Sequence, residues 1–350
     1  METGTLRRRS FLVSLGVTGL AGCLDGDDGD IDEPDGDESN GDEEEPNETD
    51  ADGADTDADE DDEEDEDDAT SVDDHIDDAL AALRNAESTL GAEIEGFDGA
   101  TDHVDFRTDA IERDLGNAED ALDEAEENAD PDQQERIDDI RDTIAWIRAL
   151  TETLDALGHS LDEFEVAMDY WDVERYADAT DRIREAETSL EEARSRHTVA
   201  VDRFERVDGT DLDLELIEDA RSDMTELKDA IDGLEPLYGG TREMSLGFEA
   251  FLGGLDAFSE ERWDTAANDL DQSRSRFHGA EDRFRDGEET APVDMRSDFI
   301  SLTCMSGYFA DAAGHYRDAA NAADDGDWDA FDASIDAGEA ALEDAEECEL

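Results

Sequence analysis

Six histidines are the first residues to weigh for chemistry: His75, His103, His159, His197, His278 and His315. All lie more than 25 residues apart, and none shows the two-histidine helical spacing that places a pair of imidazoles on one zinc ion. A metal site would have to be assembled entirely by folding, and no metal ligand is assigned. No strand-turn-helix nucleophile elbow, phosphate-cradling loop or dinucleotide fingerprint occurs. Carboxylates are so abundant that pairs of them at helical spacing say nothing about acid–base catalysis. The arginine pairs Arg182/Arg184, Arg194/Arg196, Arg274/Arg276 and Arg283/Arg285 admit two readings. One is ion pairing with neighbouring carboxylates, each of small net value; the other is capture of an anionic ligand. No cofactor is expected, and the chain reads as non-catalytic.

Two cysteines stand in the body of the chain. Cys304 and Cys348 lie 22 residues either side of Gly326. If Gly326 turns an antiparallel helical hairpin, the two sit at the same height and an oxidising compartment would permit a disulfide. Against this, Cys304 falls off the apolar stripe Leu302, Met305, Phe309, Ala312 and Tyr316, and equal height without facing side chains does not close a bridge. A disulfide and two reduced thiols both remain open.

The elements that carry these residues divide the chain into three parts. Residues 1–22 have the layout of a signal peptide: Arg7-Arg8-Arg9-Ser10-Phe11-Leu12, then an apolar run to about Ala21. Eleven residues span roughly 16 Å as a helix, about half a hydrocarbon core. Arg8, Arg9, Phe11 and Leu12 resemble the twin-arginine export signal, although Arg7 and Val13 depart from the usual pattern. Leu20-Ala21-Gly22-Cys23 is similar to a lipobox, which implies cleavage before Cys23 and lipidation of its thiol. Together the two motifs resemble the leaders of surface lipoproteins of halophilic archaea. That resemblance implies a location on the outer face of the cytoplasmic membrane, held there through a lipid anchor at Cys23.

Residues 23–72 form an acidic tether. From Leu24 to Val72 there are 28 acids and no Lys or Arg. The segment cannot bury enough apolar surface to offset its ordering entropy, so a disordered linker is expected, with a contour limit of roughly 170 Å. Asp55-x-Asp57-x-Asp59 begins like a calcium loop, but Glu60 occupies the position that needs glycine, so diffuse cation screening is expected. Asn47-Glu48-Thr49 is a sequon for glycosylation at Asn47.

Residues 73–350 should be helical. Apolar residues recur at three- and four-residue steps, giving eight or nine helices and no convincing strand. Asp130-Pro131 supplies an N-cap and a proline at the first helical position. Val207-Asp208-Gly209, Gly239-Gly240 and Asp325-Gly326 read as breaks. One five-residue pattern occurs four times: Ile111, Leu115, Ala118, Leu122, Ala125; then Ala179, Ile183, Ala186, Leu190, Ala193. Ala266, Leu270, Ser273, Phe277, Ala280 and finally Phe331, Ile335, Gly338, Leu342, Ala345 repeat the spacing. In the last three copies an aromatic lies three residues earlier, at Tyr176, Trp263 and Trp328, with Asp172, Ser259 and Asp324 placed four residues before it as candidate N-caps. The segments beginning Arg262-Trp263-Asp264 and Gly326-Asp327-Trp328 resemble the second helix of a tetratricopeptide repeat. Copies here are 68, 87 and 65 residues apart, whereas that family repeats every ~34, so the body is similar to such repeats without matching their length.

The fold expected is all-α: stacked antiparallel helical hairpins, as a repeat array or an elongated bundle, after a disordered acidic linker. The net charge of −84 excludes nucleic acid as a partner, since no cationic surface exists to neutralise phosphates. Leu, Ile, Val and Phe make up about 18% of the chain, below the roughly 20% at which a highly charged chain is expected to stay disordered. The four in-phase repeats argue against disorder, and molar salt, where the Debye length is ~3 Å, reconciles the two. The function expected is a lipid-anchored surface module that binds or scaffolds another envelope component. The alternatives are a solute-binding lipoprotein of a transporter and a helical-bundle metal or cofactor enzyme.

Overall fold

The four apolar stripes become the buried faces of four helices. In the computed structural model, which describes residues 71–95, 108–207 and 215–348, eight α-helices follow one another with no strand among the described residues. They are α1 (Val72–Glu95), α2 (Thr108–Glu126), α3 (Pro131–Asp172), α4 (Tyr176–Phe204), α5 (Glu215–Ser259), α6 (Trp263–Thr290), α7 (Arg296–Asp325) and α8 (Trp328–Glu346). Each packs chiefly on its sequence neighbours, so the body is a series of antiparallel hairpins: α1/α2, α3/α4, α5/α6 and α7/α8. The repeated residues of α2, α4 and α6 are buried throughout, and those of α8 are buried or half-buried.

Helix α3 begins where the sequence places it. Asp130 Oδ1 accepts from the Asp132 and Gln133 amides at 3.0 Å each, and Gln133 Oε1 accepts from the Asp130 amide at 3.0 Å. This reciprocal cap satisfies amide groups that the first helical turn leaves without partners. Pro131, at the first helical position, has no amide hydrogen to lose.

Three of the hairpins turn in the same way. Glu174, Glu261 and Gly326 each adopt a left-handed conformation, at φ 62°, 58° and 75°. The next residue's amide donates five residues back: Arg175 to Tyr170, Arg262 to Ala257 and Asp327 to Ala322, at 2.8–2.9 Å. This is a Schellman closure, after which one non-helical residue, with ψ of 59°, 67° and 83° at Arg175, Arg262 and Asp327, starts the following helix. The helix starts therefore correct one expectation. Asp172 and Ser259 are the last residues of α3 and α5, and Asp324 lies within α7, so none of the three is an N-cap. The capping positions fall to Arg175 and Arg262, which make no side-chain cap, and to Asp327, whose side chain accepts from Ala330.

A second correction concerns Gly239-Gly240. It is no break, because α5 runs unbroken from Glu215 to Ser259, about 67 Å of helix. Glycines 240, 247 and 254 recur every seven residues and receive the heptad-spaced knobs Phe284, Phe277 and Leu270 of the antiparallel α6. A Cβ at those glycines would lie 2.2, 2.7 and 2.7 Å from the respective side chains. The missing side chains are what allow α5 and α6 to approach so closely.

Three apolar clusters succeed one another along the array. The first joins α1, α2 and the first half of α3 to the adjoining ends of α4 and α5. The second joins the rest of α3 to α4 and the middle of α5. The third holds the remainder of α5 with α6, α7 and α8. The long helices α3 and α5 each enter more than one cluster and tie neighbouring cores together. Phe248 of α5 makes aromatic contacts with Trp171, Tyr176, Phe277 and Phe309, with ring centroids 4.9–5.5 Å apart.

Candidate functional site

Several of the described arginines join adjacent helices. Arg148 of α3 reaches Glu112 and Glu119 of α2 at 3.1 and 2.8 Å, and Arg182 of α4 reaches Glu163 of α3 at 3.0 Å. Arg196 of α4 pairs with Glu152 of α3, and Arg194 with Asp232 and Glu235 of α5. Arg242 of α5 holds Glu187 of α4. Arg276 of α6 holds Glu243 of α5, and Arg317 of α7 holds Asp271 of α6, both at 2.9 Å. Each such pair is half-exposed and worth little alone. As a series they set neighbouring helices in register within a polyanion, and they account for arginines that could otherwise have served an anionic ligand. Arg184 and Arg285 pair within their own helices, while Arg274 and Arg283 lie against Gly314 and Gly239 of the adjoining helices.

Between the last turns of α4 and the start of α5 lies a cleft of about 210 Å³, lined by His197, Val201, Phe204, Arg221, Met224 and Lys228 among others. His197 is buried, with Nε2 2.7 Å from the Met224 carbonyl oxygen. That oxygen can only accept, so Nε2 is the donor in this contact. The Arg221 guanidinium carbon stands 5.9 Å from the Phe204 ring centroid, and Lys228, the chain's one lysine, pairs with Asp232. The cleft is smaller than the roughly 300 Å³ at which small-molecule pockets begin. Its histidine is engaged with the backbone, and the arrangement serves packing between α4 and α5.

The other described histidines are dispersed as well. His75 lies 3.2 Å from Glu124, His159 contacts the carbonyl of Asp155, His278 contacts Glu281 at 3.1 Å, and His315 lies half-buried on α7. Among the described residues no three of His, Cys, Asp or Glu are grouped to hold a metal ion. Burial pushes the pKa of Glu281 up, but hydrogen bonds from His278 and Arg285 outweigh it and hold the carboxyl below its ordinary value.

The structure brings Cys304 and Cys348 together as a disulfide, with Cα atoms 5.8 Å apart. The bridge joins α7 to the residues just after α8, where Cys348 is buried. Height in the hairpin was legible from Gly326; the facing of the side chains was not, because Cys348 lies beyond the end of α8. The export residues Arg8, Arg9, Phe11 and Leu12, the lipidation site Cys23, the sequon Asn47 and His103 lie outside the described residues. Among the described residues no helix is long and apolar enough to cross a membrane. The chain gives no match to any protein-family model, to curated proteins or to solved structures.

Proposed function

We propose that this protein is a lipid-anchored surface module whose helical array binds or scaffolds another component of the cell envelope. The observation that carries the proposal is the order of parts: an export-type leader over residues 1–22, Cys23, a tether of 28 acids, then a body of repeated hairpins. A tether with a contour of roughly 170 Å holds the body clear of the lipid while confining it near the surface. One acyl-type chain binds a membrane only marginally, so stable attachment calls for a second chain on or beside Cys23. The body suits a scaffold because α3 and α5 each enter successive cores, so the hairpins support one another. Its all-helical fold is unlike the α/β lobes expected of solute-binding lipoproteins. Crosslinking on intact cells in molar salt, followed by pulldown of the mature form, tests the proposal. A protein adduct that disappears with Cys23→Ser supports it; recovery of lipid and bulk envelope alone counts against it.

A further inference from the structure

The hairpin register shows what normally covers the outer face of a second helix. Counted from the left-handed residue of each turn, equivalent positions in α4, α6 and α8 follow directly. The aromatic two residues on is Tyr176 in α4, 5% exposed and stacked on Phe248 of the next hairpin. In α6 it is Trp263, half-buried and 6.4 Å from Phe331 of the next hairpin. In α8 it is Trp328, which is 58% exposed.

The charged positions show the seam in one copy each, since the tenth position is Asp271 in α6 but Arg184 in α4, and the thirteenth is Glu187 in α4 but Arg274 in α6. Asp271 of α6 lies ten residues after Glu261 and is held by Arg317 of α7. Glu187 of α4 lies thirteen residues after Glu174 and is held by Arg242 of α5. The tenth and thirteenth positions in α8 are Asp336 and Glu339, both exposed. Asp332, Glu343 and Glu346 extend the same face and are exposed too. From Asp327 to Glu347 there are nine carboxylates and no cation, and among the described residues no ion pair reaches α8. The neighbouring α7 is joined to it by apolar packing and the disulfide instead.

We infer that the α8 face bearing Trp328, Asp332, Asp336 and Glu339 is a docking surface for an arginine-bearing helix of a partner protein. The partner would set arginines against Asp336 and Glu339, as Arg317 and Arg242 do inside the array, and an apolar side chain over Trp328. Charge complementarity and continuity with the internal seams select this occupant. A second copy of the chain fits poorly, because its Arg242 and Arg317 are already engaged and its own α8 is acidic. The inference rests on the scaffold function proposed above and names the partner's chemistry.

The test places a photoreactive benzoylphenylalanine at residue 336, at residue 339, or at the exposed Asp120 of α2 as a control, in the full chain on intact cells in molar salt. Circular dichroism of each purified variant confirms that the body is folded. The expected result is one protein adduct from residues 336 and 339, whose crosslinked peptide carries arginine within a helical turn of the attachment point. Neutralising Asp332 and Glu339 to Asn and Gln in the 336 variant should lower its yield about tenfold, as loss of about 1.4 kcal/mol would do. No adduct at 336 or 339, an adduct of the chain with itself or with lipid, or an arginine-free peptide each overturns the surface. Protein adducts at residue 120 alone would spare the scaffold function while removing this face; no protein adduct at any position would remove both.

Discussion

Adding one methyl group at Gly240 should destabilise the body, while the same change at Gly116 should stabilise it. An ideal Cβ at Gly240 falls 2.2 Å from Cε1 of Phe284 and 2.6 Å from Cδ1 and Cζ. Reaching ordinary contact at 3.4 Å or more requires the ring or the helix to move by over 1 Å. Phe284 has no solvent side to swing into, because it is fully buried and lies beside Phe299 at 6.3 Å between centroids. Overpacking of this kind costs about 1–3 kcal/mol, against about 1 kcal/mol gained from alanine's better helix propensity. A net loss of about 1–2 kcal/mol is expected, near the upper part of that balance because the contact is with a rigid ring. At Gly116, within α2, a Cβ meets nothing within 4 Å, so only the propensity gain of about 0.5–1 kcal/mol applies. Urea unfolding in molar salt, followed by circular dichroism, reads both changes. A Phe284→Leu background should recover part of the Gly240→Ala loss in a double-mutant cycle, since the two residues share one contact. If Gly240→Ala raises the midpoint as Gly116→Ala does, the close packing of α5 on α6 is wrong.

Three further outcomes are expected. Dialysis from molar to millimolar salt should reduce helicity, because the body carries 81 acids against 23 cations and their repulsion is then less screened; unchanged far-ultraviolet circular dichroism would refute this. Cys348→Ser should cost about 2–4 kcal/mol, since the bridge closes a loop of 44 residues, and hydrogen exchange should show α8 opening first; equal protection of α8 in the variant would contradict it. Glu281 has a depressed folded pKa, so its contribution is present above its unfolded value of about 4.5 and lost as pH falls through the folded value. Glu281→Gln should therefore flatten the stability profile below pH 4.5 in molar salt, and an identical acid slope in both proteins would exclude the contribution.

The second helix of each hairpin was legible because its apolar residues keep a three-four spacing that only a helix satisfies. Ile183 and Leu190, or Leu270 and Phe277, announce a buried face without knowledge of any neighbour. The first helices were harder to delimit, because glycine serves both turns and close helix contacts. Gly240 could be distinguished from Gly326 only by the ring of Phe284 lying against it. The N-caps were misplaced for a related reason. Glu174 and Glu261 take left-handed conformations that glutamate does not advertise, so Asp172 and Ser259 looked like helix starts although they end the preceding helices. Composition alone pointed to disorder and the in-phase repeats overrode it, because alanine and glycine let helices bury their faces by close approach. The docking face of α8 could not be read beforehand. Asp336 and Glu339 are two acids among 110 until the hairpin register equates them with residues that arginines hold elsewhere.

The proposed surface role requires the body to be displayed outside the cell on a lipid held by Cys23. Mass spectrometry of the N-terminal peptide from the membrane fraction, alongside fractionation of a Cys23→Ser variant, tests that most directly. The expected result is a mature chain beginning at Cys23 with a lipid mass on its sulfur, and loss of membrane attachment in the variant. An unmodified Cys23 still preceded by residues 1–22, in protein recovered from inside the cell, would contradict it.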